Sequence, residues 1–162
     1  IWTYRHAMVP KEMPTELLVI GSGAIGIEFA NFYNDLGAKV TVVEMVDRIV
    51  PAEDAEVSAA LQKALEKQGM TILTGAGVQS LKSDGKGVAA EIKTADGKVA
   101  AHRFSHCIVA VGIAHNIEGI GLEELGVLVE NSRITIDPYG RTSVPGVWAI
   151  GDVTGAPWLA HK

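Results

Sequence analysis

The first half of the chain alternates between short apolar runs and helical periodicity. Residues 17–20 and 40–43 have the length and continuity of strands that are buried on both faces of a sheet. Apolar side chains recur at helical spacing over residues 24–36, and Gly37 is a typical helix end. The pattern predicts a strand, a helix and a second strand in that order.

A second helix and a third strand follow. The predicted apolar face of this helix comprises Val57, Leu61, Ala64 and Leu65. Residues 70–74 then predict a strand, whereas residues 1–14 are predicted to be irregular because Pro10 and Pro14 would break a helix. Since strands joined by helices lie parallel, we predict an α/β fold with a Rossmann-like parallel sheet and two crossover helices.

The pattern then changes to short alternating segments that are separated by Asp-Gly pairs. Asp-Gly occurs at residues 84–85 and 96–97, and it is a strong hairpin signal between segments of this kind. We predict a three-stranded antiparallel β-meander over residues 78–104, in place of a crossover helix. Residues 107–111 then return as a buried strand.

Beyond Val111 the predicted elements are shorter. Residues 122–125 predict one helical turn, and residues 134–136 and 147–150 predict short strands, the second of them buried. We place a domain boundary near residue 115, with a complete nucleotide-binding domain over residues 1–115 and part of a second domain over residues 116–162.

Composition excludes several classes of protein. The net charge is -5 and the basic residues do not cluster, so neither a nucleic acid nor an anionic membrane is expected as a partner. No apolar run reaches the roughly 18 residues of a transmembrane helix, and no signal peptide is visible. The one cysteine, Cys107, lies in an apolar run, which predicts a buried, unreactive thiol and excludes a CxxC redox centre within this chain.

The hexapeptide Gly21-Ser22-Gly23-Ala24-Ile25-Gly26 follows a predicted strand and opens a predicted helix. In this context GxGxxG binds the pyrophosphate of a dinucleotide, because the helix N-terminus offers free N–H groups to phosphate oxygens. Gly21 would permit the tight turn, Gly23 the approach of the pyrophosphate, and Gly26 the close packing of helix on strand. The alternative is a glycine turn without a ligand.

Glu44 ends the second predicted strand. An acid at this position accepts hydrogen bonds from the ribose hydroxyls of an adenosine and repels a 2′-phosphate, so NAD is predicted over NADP. The alternatives are a solvated acid at a strand end and, for the cofactor, a 2′-phosphate bound by Arg48.

Two further acids have more than one interpretation. Glu28 lies in the first turn of the predicted helix, where it either complements the helix dipole or faces a ligand. Asp152 follows the predicted strand at residues 147–150, and it either hydrogen-bonds a ligand hydroxyl or caps the next turn.

The fingerprint, followed by Thr-Ser-Val-Pro-Gly-Val-Trp-Ala-Ile-Gly-Asp at residues 142–152, resembles the pyridine nucleotide–disulfide oxidoreductases. Residues 121–126 and 151–162 are similar to the dihydrolipoamide dehydrogenase group of that family. The resemblance covers essentially the whole chain. It implies a homodimeric flavoprotein that oxidises the dihydrolipoyl domains of 2-oxo acid dehydrogenase complexes and passes electrons through a disulfide and FAD to NAD. It also implies the cytoplasm of a bacterium or the mitochondrial matrix of a eukaryote.

The same resemblance implies roles for individual residues. Residues 21–26 would hold the NAD pyrophosphate, Glu44 the adenosine ribose, and Val78 would lie against the adenine. The residues implied near the nicotinamide end are Ile25, Glu28 and Gly112. Asp152 would bind the ribityl chain of FAD, which places residues 116–162 in a central, FAD-contacting segment. The residues implied to line the flavin are Trp158, Leu159, Ala160 and His161.

The chain departs from the family pattern in two respects. Where the family often has Gly-Arg-x-Pro-Asn, residues 112–116 read Gly-Ile-Ala-His-Asn and lack the basic residue. The resemblance implies that the redox cysteines precede Ile1 and the catalytic His-Glu pair follows Lys162. We therefore expect an internal fragment that binds NAD weakly, holds no FAD and is inactive alone. The alternatives are another family member, such as a mercuric reductase or an NADH oxidase, and a stand-alone NAD-binding module.

Overall fold

The computed structural model describes residues 1–158, and the chain divides into two compact units after Gly112. The first unit begins with alternating helices and strands: α1 (Tyr4–Met8), β1 (Glu16–Ile20), α2 (Ala24–Asp35), β2 (Lys39–Val43), α3 (Ala55–Lys67) and β3 (Thr71–Leu73). Helix α1 corrects the prediction that residues 1–14 are irregular. It ends before Pro10, and its Ala7 carbonyl accepts a buried hydrogen bond from the Tyr33 hydroxyl of α2. No helix among the described residues is long and apolar enough to cross a membrane.

The first unit continues with the predicted meander. Strands β4 (Gly77–Ser83), β5 (Val88–Lys93) and β6 (Val99–Phe104) pair antiparallel, and β7 (His106–Val109) follows. Gly85 and Gly97 lie in the two hairpin turns with φ of 79° and 83°, a conformation that favours glycine. Strand β7 pairs with β1 and completes a parallel sheet of four strands in the order β3-β2-β1-β7. The predicted α/β fold with a parallel sheet, two crossover helices and a meander is confirmed.

The parallel sheet buries side chains on both of its faces. Leu17 and Val19 of β1 belong to one apolar cluster with residues of α2 and α3. Leu18, between them, belongs to a second cluster with Val88 and Ile92 of the meander. Alternate residues of a strand point to opposite faces, so a strand covered on both faces needs an uninterrupted apolar run.

Helix α3 buries a face that differs in part from the predicted one. Leu61 and Leu65 pack against the core, but Val57 is 50% exposed and Ala64 is exposed as well. The buried residue one turn before Leu61 is Ser58, whose hydroxyl donates to the Val50 carbonyl at 3.4 Å. The predicted period is correct, but its phase is partly wrong because a small polar residue can be buried when a carbonyl satisfies it.

The second unit contains short elements: α4 (Leu122–Leu125), β8 (Val129–Glu130), β9 (Arg133–Ile134) and a 3₁₀ turn at Asp152–Thr154. The helical turn is confirmed. The buried strand predicted at residues 147–150 is wrong, since Trp148 makes a single antiparallel bridge to Arg141 and is 61% exposed. Ile150 is 80% exposed. Among the described residues of this unit the buried apolar side chains are Val127 and Ile134. The bridge between Arg141 and Trp148 therefore has little apolar core to pack against.

Candidate dinucleotide-binding site

The glycine turn (residues 21–26) follows the carboxyl end of β1, where the strand order of the sheet reverses. Strand β1 pairs with β2 on one side and with β7 on the other. The Gly21 amide donates to the Val43 carbonyl of β2 at 2.9 Å, and the Ala110 amide beyond β7 donates to the Ile20 carbonyl at 2.8 Å. In open α/β sheets ligands bind in the crevice at such a reversal, which places the turn at the expected binding position.

The three glycines of the turn have different surroundings. Gly21 has a φ of 97°, and a Cβ there would lie 2.4 Å from the Ala110 carbonyl oxygen. A Cβ on Gly26 would lie 2.0 Å from the Gly21 carbonyl oxygen, so the helix packs on the turn at a distance that only glycine permits. A Cβ on Gly23 would meet no atom within 4 Å. The space over Gly23 is therefore open from the protein side, as the approach of a pyrophosphate requires.

Helix α2 begins at this open glycine. Gly23 is its N-cap residue, and no side chain caps the helix. Ala24 and Ile25 in its first turn are exposed. Since the first N–H groups of a helix have no partner within the helix, this end of α2 suits a bound anion.

Glu28 is also exposed in α2, and it lines a groove of about 550 Å³ with residues of α2 and α3 such as Phe32 and Leu61. Within residues 1–158 its carboxylate makes no hydrogen bond or ion pair, so both interpretations of Glu28 stay open.

The Glu44 carboxylate lies at the glycine turn. Its Oε2 accepts hydrogen bonds from the Ser22 amide at 2.8 Å and from the Ser22 hydroxyl at 2.7 Å, and its Oε1 accepts one from the Val46 amide at 3.0 Å. The backbone of Glu44 is fixed by the Leu73 carbonyl at 2.8 Å and the Ala76 amide at 2.9 Å. The side chain is half-buried. Glu44 is thus held beside the turn rather than solvated at a free strand end.

Opposing effects act on the pKa of Glu44. Burial raises the pKa, but hydrogen bonds from the Ser22 hydroxyl and from the amides of Val46, Ser22 and Met45 lower it, and the net result is a pKa below the ordinary value of 4.5. The carboxylate is therefore ionised at neutral pH. It can accept hydrogen bonds from a diol and repel a second anion.

A cleft of about 430 Å³ follows the Glu44 strand end. Its lining includes Met45, Ala76, Val78 and Thr94. Val78, the residue expected to lie against an adenine, is partly buried, and Met45 is 80% exposed. Gly112, expected near the other end of the cofactor, has a φ of 144° and open space around it.

The expected flavin residues belong to the second unit. Asp152 is exposed and is the first residue of a 3₁₀ turn whose N-cap residue is Gly151. The indole Nε1 of Trp158 donates to Nε2 of His115 at 3.1 Å. His115 lies in the segment that departs from the family pattern, and no sequence motif indicates this pairing. The expected residues Leu159, Ala160 and His161 lie outside the described residues.

Cys107 is placed as predicted. It is 0% exposed within β7, and burial raises the pKa of its thiol to about 12. The predicted burial of the thiol is confirmed, and a raised pKa disfavours the thiolate, which is the reactive form of a cysteine.

Comparisons with known proteins show the family of this chain and its relatives. Residues 1–162 match the model of the family described as Pyridine nucleotide-disulphide oxidoreductase. The whole chain aligns with a dihydrolipoyl dehydrogenase from Zymomonas mobilis at 59% sequence identity and covers 35% of that protein. It aligns with a dihydrolipoyl dehydrogenase from Rhizobium etli at 49% identity and covers 34% of it. Among solved structures, LpdA from Mycobacterium tuberculosis is 33% identical with a TM-score of 0.85, over 99% of this chain and 34% of its own. The chain thus spans about a third of the length of these relatives.

Proposed function

The chain belongs to the pyridine nucleotide-disulphide oxidoreductase family, and from this premise we propose that its first unit binds NAD(H). One observation carries the proposal: the open space over Gly23 and the Glu44 carboxylate lie at the same turn, joined through Ser22. An open approach to the glycine turn and an ionised diol acceptor are the two features that a site for an adenine dinucleotide combines.

The described contacts suggest how the dinucleotide would lie. The pyrophosphate would face Gly23 and the amides of the first turn of α2, where the helix dipole favours an anion. The adenosine ribose would donate its hydroxyls to Glu44, and the adenine would enter the cleft beside Val78 and Met45. The nicotinamide end would then extend toward Ile25, Glu28 and Gly112.

The electrostatics of Glu44 favour NAD over NADP. A 2′-phosphate would have to lie beside an ionised carboxylate that is fixed by hydrogen bonds from Ser22 and Val46. Like charges at such a distance cost on the order of 2 kcal/mol or more in a partly buried site. The Arg48 guanidinium, the alternative partner of a 2′-phosphate, donates to the Pro51 carbonyl of its own loop at 3.3 Å.

For the whole protein we propose the reaction of a dihydrolipoyl dehydrogenase. A flavoprotein homodimer would oxidise the dihydrolipoyl domains of 2-oxo acid dehydrogenase complexes. Bound FAD would supply the electron relay between a disulfide and NAD. Asp152, exposed beside Gly151, would hold the ribityl chain, and Trp158 would lie at the flavin. Cys107, the one cysteine of this chain, is buried and would not supply the disulfide.

Calorimetric titration of the 162-residue chain with NAD⁺ and NADP⁺ tests the proposal. We expect a dissociation constant on the order of 0.1 to 1 mM for NAD⁺, and binding of NADP⁺ that is weaker by about tenfold or more. Glu91→Gln removes a charge from the exposed face of the meander and should leave both constants unchanged. A folded chain that gives no heat with NAD⁺, or that prefers NADP⁺, would overturn the proposal.

A turnover assay tests the part of the proposal that concerns catalysis. The same chain, mixed with dihydrolipoamide and NAD⁺, should form no NADH above background because its one thiol is buried. Turnover by this chain would show that the electron path proposed here is wrong.

A further inference from the structure

We propose that Ser22 is a positioning residue for cofactor specificity, which acts by fixing the Glu44 carboxylate for NAD and against NADP. The inference rests on the proposed NAD-binding function. Ser22 occupies the first variable position of the glycine turn and is 0% exposed. Its hydroxyl therefore does not reach a dinucleotide, and its effect on the cofactor would pass through Glu44.

The hydrogen-bond geometry gives Ser22 control of one carboxylate oxygen. Its amide and its hydroxyl both donate to Oε2, at 2.8 and 2.7 Å, whereas Oε1 accepts from the Val46 amide at 3.0 Å. The two donors of this buried residue fix the position of Oε2, and the Val46 amide on Oε1 sets the rotation of the carboxylate. A carboxylate has about four acceptor sites, so acceptor capacity remains for a ribose diol.

The backbone of Ser22 is itself held in place by the loop that follows β2. The Ser22 carbonyl accepts a hydrogen bond from the Val50 amide at 2.9 Å. Val50 has a φ of 40°, which is unusual for a β-branched residue, and its carbonyl accepts from the buried Ser58 hydroxyl. The loop is thus tied to the glycine turn at Ser22 by Glu44 at one end and by Val50 farther along.

Removal of the Ser22 hydroxyl has a specific consequence. Oε2 would keep the Ser22 amide donor and Oε1 the Val46 amide donor, so the carboxylate would be held less firmly, by two of these three hydrogen bonds. A mobile carboxylate is a poorer acceptor for the ribose and a weaker barrier to a 2′-phosphate. Ser22→Ala should therefore change the ratio of the two affinities and not merely lower both.

A double-mutant cycle in the 162-residue chain tests the inference. Dissociation constants for NAD⁺ and NADP⁺ are measured by calorimetry for the wild type, Ser22→Ala, Glu44→Gln and the double variant. We expect Ser22→Ala to reduce the preference for NAD⁺ about five- to tenfold, as the loss of a charge-assisted hydrogen bond predicts. In the Glu44→Gln background the same change should have almost no further effect on the ratio.

Ser58→Ala is the matched control. It removes a second buried hydroxyl that hydrogen-bonds to the same loop, at Val50, without touching Glu44. It should lower stability while leaving the NAD⁺ to NADP⁺ ratio unchanged. A change of that ratio in Ser58→Ala, or an equal effect of Ser22→Ala with and without Glu44, would assign Ser22 a structural role and overturn the inference.

The pH dependence of NAD⁺ binding supplies an independent readout. Affinity should fall on the acid side as Glu44 is protonated, and this fall should lie at higher pH in Ser22→Ala because one of the hydrogen bonds that lower the pKa of Glu44 is lost. If the fall in affinity at acid pH is the same in Ser22→Ala as in the wild type, the inference about Ser22 is wrong, whereas the proposed NAD-binding function is unaffected. If the wild type binds neither nucleotide, the proposed NAD-binding function itself is wrong.

Discussion

The glycines of the turn have different surroundings, so substitutions at them should separate effects on packing from effects on ligand binding. Gly26 lies against backbone, whereas Gly23 lies against open space. Gly26→Ala should destabilise the fold by about 3 kcal/mol, because its Cβ would overlap the Gly21 carbonyl oxygen. Urea unfolding followed by circular dichroism measures this loss.

Gly23→Ala should behave differently. Its φ of -63° suits alanine and its Cβ would meet no protein atom, so the free energy of unfolding should change by less than about 1 kcal/mol. Affinity for NAD⁺ should nevertheless fall by about tenfold or more, since the methyl group would occupy the space of the pyrophosphate. A variant that binds NAD⁺ as well as the wild type would show that the phosphates lie elsewhere.

Glu44 should also make the free energy of unfolding depend on pH. Its pKa in the folded chain lies below the ordinary value of 4.5, so its hydrogen bonds stabilise the fold above the unfolded-state pKa. This contribution is lost as the pH falls through the folded-state pKa. The difference in unfolding free energy between the wild type and Glu44→Gln should thus be largest near neutral pH and shrink below about pH 4.5. Urea titrations over this range measure it, and a constant difference would contradict the prediction.

The chemistry of the turn could be predicted from sequence, but its hydrogen bonds could not. Gly21, Gly23 and Gly26 are specified by local backbone requirements that a short motif records. The contact between Ser22 and Glu44 joins residues 22 positions apart, and it depends on the parallel pairing of β1 and β2. A small polar residue in the turn, together with an acid at the end of β2, is the signal that points to this contact.

At the scale of elements, the N-terminal segment is joined to helix α2 by one buried polar contact. The Tyr33 hydroxyl donates to the Ala7 carbonyl, and both residues are almost fully buried. Tyr33→Phe would leave this carbonyl without its partner and should destabilise the chain by about 1 to 3 kcal/mol. Tyr139→Phe makes the same chemical change at a tyrosine that is 76% exposed, and it should cost less than about 0.5 kcal/mol. Equal effects in urea unfolding would show that the contact contributes nothing.

The helices and strands that pack against a large apolar core are predicted more accurately than those that do not. The strands and helices at residues 16–43 carry continuous or helically spaced apolar residues because the sheet is covered on both faces. The strand predicted at residues 147–150 has an equally apolar sequence, yet Trp148 and Ile150 are exposed in the second unit. An apolar run in the sequence predicts burial, but it does not predict whether neighbouring elements of the same unit cover the segment.

At the scale of the whole molecule, the two units differ in how much apolar core their described residues bury. All members of both apolar clusters, and all residues proposed to bind NAD, lie in residues 1–112. The described part of the second unit buries two apolar side chains, Val127 and Ile134. Folding and nucleotide binding should therefore reside in the first unit.

A polypeptide of residues 1–112 alone should accordingly unfold in urea as one cooperative transition and bind NAD⁺ within about threefold of the affinity of the whole chain. Residues 113–162 alone should show no cooperative transition, because a segment of this size with so little core cannot offset its conformational entropy. Circular dichroism and calorimetry on the two pieces measure both outcomes. Loss of NAD⁺ binding by a folded 1–112 piece would mean that the second unit supplies contacts to the nucleotide, and it would move the functional boundary beyond Gly112.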